Sequence, residues 1–268
     1  MKKTTIRQCI LSLMAAAVLF FPVGASSQTV RGDFNYDGKF NISDVTALIG
    51  YILGGEWDAA PKDLVRDTLT VNRVQFVMVH VPGGTIELEE GVTGTVPDFC
   101  IGQTEVTQRL WKAVMGSNPS SCQFYQDLPV ENVSWDACQE FISRLNELTG
   151  LEFRLPTSLE WTFAASGGTR SRGFLYSGSE NPLLVAWHTG NASTSPSIVA
   201  RLTPNELGLY DMSGNVNEWC SNASTQVSGH RVIRGGSYYV DSWQCTVTWS
   251  GHSVQNKGTK VTGLRLAL

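Results

Sequence analysis

Motifs that would identify several common enzyme classes are missing from this 268-residue sequence. It has no Gly-x-Ser-x-Gly turn for a serine nucleophile and no phosphate-binding loop. The four histidines, His80, His188, His230 and His252, show no spacing typical of metal ligands. The chain has 20 basic and 24 acidic residues, and this balance argues against nucleic acid and anionic membranes as partners.

The apolar stretch near the amino terminus is too short to span a bilayer comfortably, since it runs only from Ile10 to Phe21. Basic residues precede it, and Val23-Gly24-Ala25 offers a small-residue cleavage site. We therefore predict that residues 1–28 are a signal peptide and that no membrane span remains. The exported chain would reach the periplasm, the cell surface or the medium, with a net charge of about −7.

Removal of the predicted signal peptide would leave five cysteines, which are Cys100, Cys122, Cys138, Cys220 and Cys245. An oxidising compartment permits disulfides, but an odd count leaves at least one thiol free or paired between chains. The sequence does not fix the pairing.

An acidic segment after the predicted cleavage site has the spacing of a calcium loop of the EF-hand type. Oxygen-bearing side chains occupy loop positions 1, 3, 5, 9 and 12, glycine occupies position 6, and position 7 offers a backbone carbonyl. These ligands are Asp33, Asn35, Asp37, Asn41 and Asp44, with the carbonyl of Lys39. The alternative is a solvated acidic turn without metal.

A helix should follow this loop, because Val45, Leu48, Ile49 and Ile52 recur at helical spacing. Loop and helix together, residues 29–55, resemble one dockerin repeat, a small EF-hand-like half-module. The resemblance implies calcium and a cohesin-like scaffold as partners, and an accessory role in an extracellular polysaccharide-degrading assembly. Dockerins normally carry two repeats, and the sequence has no second Asp-x-Asn-x-Asp-Gly. Residues 56–72 are predicted to be a linker.

The remaining residues, 73–268, have the pattern of an α+β domain. The run 74–81 is rich in β-branched residues and predicts a strand that ends before Pro82-Gly83-Gly84. Helices are predicted around Leu110, Trp111 and Val114, from Ser134 to Gly150, and after a capping box formed by Thr157 and Glu160. The second helix should bury one face, composed of Ala137, Phe141, Ile142, Leu145 and Leu148.

Four segments of this domain resemble the formylglycine-generating enzymes, or sulfatase-modifying factor domains. They are Phe153-Arg-Leu-Pro-Thr157, Glu160-Trp161, Gly208-Leu-Tyr-Asp-Met-Ser-Gly-Asn-Val-Asn-Glu-Trp219 and Arg234-Gly-Gly-Ser-Tyr238. The resemblance covers roughly residues 73–268. It implies the C-type-lectin-like fold of that family, with little regular secondary structure.

The resemblance also implies where catalysis would occur. The active enzymes use two cysteines, five positions apart, that bind copper and oxidise a substrate cysteine. Here the second position is Cys245, but the first is Val240. We therefore predict a non-catalytic protein in which Cys245 is a structural thiol or half of a disulfide. The alternative is a formylglycine-generating oxidase that uses copper and a second thiol, Cys220 or Cys138.

A calcium site follows from the same resemblance. The matching ligands are the side chains of Asp211 and Glu218 and the carbonyls of Gly214 and Val216. Hard oxygen ligands in a tight loop suit calcium. A hydrogen-bonded turn without metal is the alternative.

The carboxy-terminal segment combines aromatic residues with short polar ones, which make adaptable contact surfaces. Candidate ligand-binding residues are Ser237, Tyr239, Trp243, Trp249 and His252. The predicted partner is an unidentified protein or glycan bound at this face. Packing of Trp243 and Trp249 into the core is the alternative.

Overall fold

The computed structural model describes residues 64–89 and 92–268. The predicted signal peptide, the dockerin-like repeat with its calcium loop, and residues 56–63 of the predicted linker lie outside the described residues.

Short strands and four helices form the described part of the chain. The strands are β1 (Arg66–Val71), β2 (Val74–Val81), β3 (Gly84–Glu89), β4 (Val92–Val96), β5 (Phe99–Gly102), β6 (Ala186–Trp187), β7 (Ser213–Gly214), β8 (Asn217–Ala223), β9 (His230–Arg234), β10 (Ser250–Val254) and β11 (Thr262–Gly263). The helices are α1 (Gln108–Met115), α2 (Trp135–Thr149), α3 (Ser158–Ala165) and α4 (Pro182–Val185), and short 3₁₀ helices span Gly168–Arg170 and Ser242–Cys245.

The strands form two larger sheets and two small ribbons, which gives a mixed α/β architecture. The first sheet has the order β1-β2-β5 and is antiparallel. The second has the order β10-β9-β8-β11, in which β11 pairs with β8 in parallel. The ribbons are β3-β4 and β6-β7. The predicted strand 74–81 is confirmed as β2.

The first hairpin of the domain begins at Arg66, within the segment predicted to be a linker. Strand β1 pairs with β2 through Val71 and Val74, and the turn residues Asn72 and Arg73 both have positive φ angles, 47° and 68°. Two such residues match the twist of a tight hairpin. The predicted linker includes residues 66–71, but the structure shows that they form a strand paired with β2.

All three longer helices occur where the sequence predicted them, and the predicted start of α2, its end at Gly150 and the capping box that begins α3 are confirmed. Thr107 and Ser134 cap α1 and α2 with their side chains, and Gly150 ends α2 in the left-handed conformation. The capping box of Thr157 and Glu160 at α3 is also confirmed. One detail was wrong: Leu148 is 51% exposed, because it lies near the end of α2 and outside the face that packs on the core.

The core has two large apolar clusters and one small one. The first joins α1 and α2 to the first sheet and Trp219, and the second surrounds Trp161 of α3. Leu264 and Leu266 near the carboxy terminus belong to the first cluster, and backbone hydrogen bonds join the last residues to β5. The third cluster contains Cys245.

The capping box provides a local test of stability. Replacing Thr157 by Ala removes the hydroxyl that accepts from the Glu160 amide at 3.1 Å and should lower the free energy of unfolding by about 1 kcal/mol. Urea denaturation would measure this change. Thr248→Ala, at an exposed position outside any helix, is the control and should have little effect. Equal changes in the free energy of unfolding for the two substitutions would contradict the role of Thr157 as the cap of α3.

Candidate functional site

The segment after β9 folds back sharply towards Cys245. Gly235 and Gly236 have φ angles of 90° and 73°. A Cβ atom at position 236 would lie 2.5 Å from the Gln244 carbonyl oxygen and 2.8 Å from Cys245 Sγ. Only glycine fits this turn without displacing the backbone.

Cys245 belongs to the third apolar cluster, together with Tyr176, Val185 and Ala186, and the partly buried Val240 packs against this cluster. Cys245 is fully buried, and its thiol has one weak polar contact, 4.0 Å from the Asp241 carbonyl oxygen. Burial raises the pKa of this thiol to about 12, although the backbone amide of Ser237 opposes the shift. Because the thiolate is the nucleophile, the buried Cys245 thiol is a weak nucleophile at neutral pH.

No second thiol accompanies Cys245. All five cysteines in the described range are free thiols. Cys138 belongs to the first core cluster and Cys220 to the second, whereas Cys245 belongs to the third. The described cysteines therefore form no disulfide, and Cys138 and Cys220, which the alternative hypothesis requires, lie in other apolar clusters than Cys245.

The predicted ligand-binding residues divide into surface and interior groups. Tyr239 and Trp243 are 57% and 62% exposed, and His252 is also exposed. Ser237 is fully buried, and its hydroxyl accepts from the Tyr239 amide at 3.4 Å, as in a turn. Trp249 packs against the first core cluster. Ser237 and Trp249 thus pack against the interior, whereas Tyr239, Trp243 and His252 are the exposed members of the predicted set.

Polar contacts fix the exposed segment. Thr189 Oγ1 donates to Asp241 Oδ1 at 3.0 Å, and the Thr189 amide donates to the Val240 carbonyl at 3.0 Å. The Lys260 ammonium lies 4.6 Å from the centre of the Tyr239 ring, a cation–π contact. We call residues 188–191 and 239–243 the C-terminal face.

The structure brings two histidines together that are 22 positions apart. His230 on β9 and His252 on β10 make an edge-to-face contact with ring centres 5.4 Å apart. Antiparallel pairing of the strands causes this, since His230 lies opposite Val254 and His252 opposite Val232. Because the two histidines lie on different strands, their spacing in the sequence does not reveal that they are in contact.

The motif residue Glu218 is the partner of a buried arginine that the sequence reasoning missed. Arg265 Nε donates to Glu218 Oε2 at 2.9 Å and Nη2 donates to Oε1 at 2.7 Å, and both side chains are fully buried. Trp161 Nε1 also donates to Oε2, at 2.6 Å. Burial lowers the pKa of Arg265, but nearby carboxylates outweigh this effect and raise it. Local sequence pattern offers no signal for this pair, because 47 positions separate the two residues.

Two further buried carboxylates lie close to this ion pair. Glu105 accepts from the Val216 amide at 3.0 Å and from Asn215 Nδ2 at 2.7 Å. Asp211 Oδ2 accepts from the Ala200 amide at 2.7 Å. Burial, followed by mutual repulsion with Asp211 and Glu218, raises the pKa of Glu105, and burial raises that of Asp211 to about 6.

These carboxylates bear on the predicted calcium site. Asp211 Oδ1 is buried without a hydrogen-bond partner among the described residues and has the chemistry of a calcium ligand. Glu218 does not fit that role as placed, because Arg265 and Trp161 occupy both of its oxygens. No group of three or more His, Cys, Asp or Glu side chains suited to a metal occurs in residues 64–89 and 92–268. Calcium bound by Asp211, Gly214, Val216 and Glu218 stays a prediction that this geometry does not support.

Comparison with known proteins decides the family. Residues 67–268 match the model of the sulfatase-modifying factor enzyme 1-like domain. The chain belongs to this family. Its mixed α/β fold is that of the formylglycine-generating enzymes and their C-type-lectin-like relatives. Within the described residues, no helix is long and apolar enough to cross a membrane.

Relatives in this sulfatase-modifying factor family differ in activity. The chain is 33% identical over 247 residues to a Paenibacillus barcinonensis protein named chaperone protein LppX, with 70% of this chain and 88% of the relative covered. It is 31% identical to the formylglycine-generating enzyme of Streptomyces coelicolor and spans 44% of each chain. It is 29% identical to inactive Cα-formylglycine-generating enzyme 2 of Bos taurus, covering 50% of this chain and 46% of the relative.

A solved structure shares this fold. Treponema denticola variable protein 1 aligns with a TM-score of 0.69 and 28% identity, and the alignment covers 76% of this chain and 98% of that one.

The buried ion pair can be tested by a double-mutant cycle. Arg265→Met leaves the Glu218 carboxylate buried and unpaired and should lower the free energy of unfolding by about 3–5 kcal/mol. The double variant Arg265→Met/Glu218→Leu should lose less than the sum of the single variants. Arg109→Ala is the control, because the pair that Arg109 forms with Asp127 is half exposed and should contribute less than about 1 kcal/mol. Chemical denaturation would measure all four variants.

Contact between positions 240 and 245 can be tested by cross-linking. Val240→Cys should form a disulfide with Cys245 under mild oxidation, because the two side chains pack in one cluster. Peptide mapping without reductant would detect it. Val254→Cys, at an exposed position on β10, should leave Cys245 unpaired. If the thiols at positions 240 and 245 both stay free in the Val240→Cys variant, the two side chains are not close together.

Proposed function

We propose that this protein is an exported, non-catalytic member of the sulfatase-modifying factor family that binds a protein or glycan at its C-terminal face. One observation supports the proposal: valine stands at position 240, where it packs against the apolar cluster that contains Cys245, and burial raises the pKa of the Cys245 thiol. Copper oxidation in this family requires both thiols. A lone thiol cannot supply a two-thiolate copper site.

Two further observations support a binding role. The exposed side chains of Tyr239 and Trp243 lie on a segment held by hydrogen bonds, so a ligand would meet a preorganised surface. The relatives include an inactive formylglycine-generating enzyme 2 and a protein named as a chaperone, and such names are compatible with binding in place of oxidation.

Calcium is proposed for the Asp33–Asp44 loop only, where the sequence pattern supports it. Docking to a cohesin-like scaffold would depend on the same segment.

A formylglycine assay tests the non-catalytic proposal. The purified protein, with copper and a reductant, should leave the cysteine of a Cys-x-Pro-x-Arg sulfatase peptide unchanged in mass spectrometry. The Streptomyces coelicolor enzyme, run in parallel, should convert it. Conversion by this protein that disappears in the Cys245→Ser variant would overturn the proposal and establish the oxidase.

A further inference from the structure

Two histidines form a pair at the surface of the second sheet. His252 is exposed on β10, His230 is half-buried on β9, and the two rings meet with their planes at 82° and their centres 5.4 Å apart. Strand pairing creates this contact, since β9 and β10 are antiparallel neighbours. Imidazole nitrogens are the ligands that zinc, copper and nickel ions commonly take in proteins.

The separation of the two rings is close to that of two imidazoles on one metal ion. Bonds from zinc to imidazole nitrogen are about 2.0–2.1 Å long, so two rings that share a tetrahedral ion have their centres about 5 Å apart. The observed distance is 5.4 Å. Because the His252 ring is exposed, it can turn from its edge contact towards a shared ion without displacing packed atoms.

A hydrogen bond sets the position of the proton on one of the rings. Nδ1 of His230 lies 3.2 Å from the Ser228 carbonyl oxygen, and a carbonyl oxygen only accepts, so Nδ1 carries the proton. The lone pair of the neutral His230 ring is then on Nε2. Metal-binding histidines generally donate their other ring nitrogen to a carbonyl or carboxylate in this way, which orients the ring and raises its basicity as a ligand.

Backbone hydrogen bonds hold the strands around the pair. The Ser224 amide donates to the His230 carbonyl at 2.8 Å, and the Gln255 amide donates to the Gly229 carbonyl at 3.2 Å. Strand β9 also lies inside its sheet, between β10 and β8. The backbone that carries the two histidines is therefore ordered before an ion arrives, so that binding costs little conformational entropy.

The cation next to His230 in the sequence does not occupy the face of the histidine pair. Successive side chains of a strand point to opposite faces, so Arg231 lies on the other face of β9. Its guanidinium stacks on the Trp135 ring at 3.9 Å, and Nη1 donates to the Ser221 carbonyl at 3.1 Å. With 20 basic and 24 acidic residues, the net charge of the chain also favours a cationic ligand.

We propose that His230 and His252 bind one divalent transition-metal ion, through Nε2 of His230 and a ring nitrogen of His252, with water in the remaining positions. A site with two protein ligands agrees with the absence of any larger group of candidate ligands in residues 64–89 and 92–268. Copper(II) should bind more tightly than nickel(II) or zinc, following the general order for nitrogen ligands. The site uses neither Cys245 nor the predicted calcium loop, and it goes beyond the proposed function.

Calorimetric titration with nickel(II) and copper(II) tests this site. The purified protein carries no affinity tag, and excess calcium occupies oxygen-ligand sites such as the predicted loop 33–44. We expect about one ion per chain, with copper(II) bound more tightly than nickel(II). His230→Ala and His252→Ala should each weaken the binding roughly tenfold or more, because each removes one of the two protein ligands. His80→Ala, which removes a histidine whose side chain is 37% exposed on β2, is the matched control and should leave the affinity unchanged.

Thermal unfolding provides a second readout, because an ion that binds only the folded chain raises the Tm. Nickel(II) should raise the Tm of the wild-type and His80→Ala proteins, and much less that of His252→Ala. Absence of binding to the wild type, unchanged affinity in either variant of the pair, or loss of binding in His80→Ala overturns the proposal. If circular dichroism shows that His252→Ala is misfolded, His252→Gln takes its place. The formylglycine assay tests the non-catalytic proposal separately, so failure here leaves that proposal intact.

Discussion

The buried ion pair between Arg265 and Glu218 is the constraint on which the rest of this structure depends. Arg265 satisfies both oxygens of Glu218 and also donates to the carbonyls of Gly102 and Tyr210, at 2.9 and 2.8 Å. Trp161 adds a third donor to the same carboxylate. The guanidinium group of Arg265 therefore joins β5 and the loop before β7 to Glu218 of β8. The carboxylate of Glu218 in turn joins this group to α3 through Trp161. Leaving either charge without its partner in this interior would cost far more than an exposed pair contributes.

The fold stabilised by this ion pair also forms the region around Cys245, where the side chain at position 240 is the important difference from the active enzymes. Strand β9 leads into the Gly235-Gly236 turn, after which Val240 packs against the apolar cluster that contains Cys245. Burial in this cluster raises the pKa of the Cys245 thiol. The proposed loss of oxidation would thus leave the fold in place, because the fold depends on other residues.

The same turn places the adjacent residues at the surface. Because Cys245 is anchored inside, Trp243 on the same short helix extends outward, and Thr189 fixes Asp241 beside it. The proposed binding would thus use a surface that borders Cys245 and is supported by the same buried residues. A surface held by hydrogen bonds before a ligand arrives loses little entropy on binding.

Local signals in the sequence determined the helix caps, strand β2, the family segments and the absence of a thiol at position 240, because each depends on residues only a few positions apart. The tertiary structure alone decided that Trp243 is exposed while Trp249 is packed, that His230 meets His252, and that Glu218 pairs with Arg265. Glu218 and Arg265 are separated by 47 positions. Burial and pairing of this kind depend on which distant segments meet in the folded chain, and no short-range pattern encodes that.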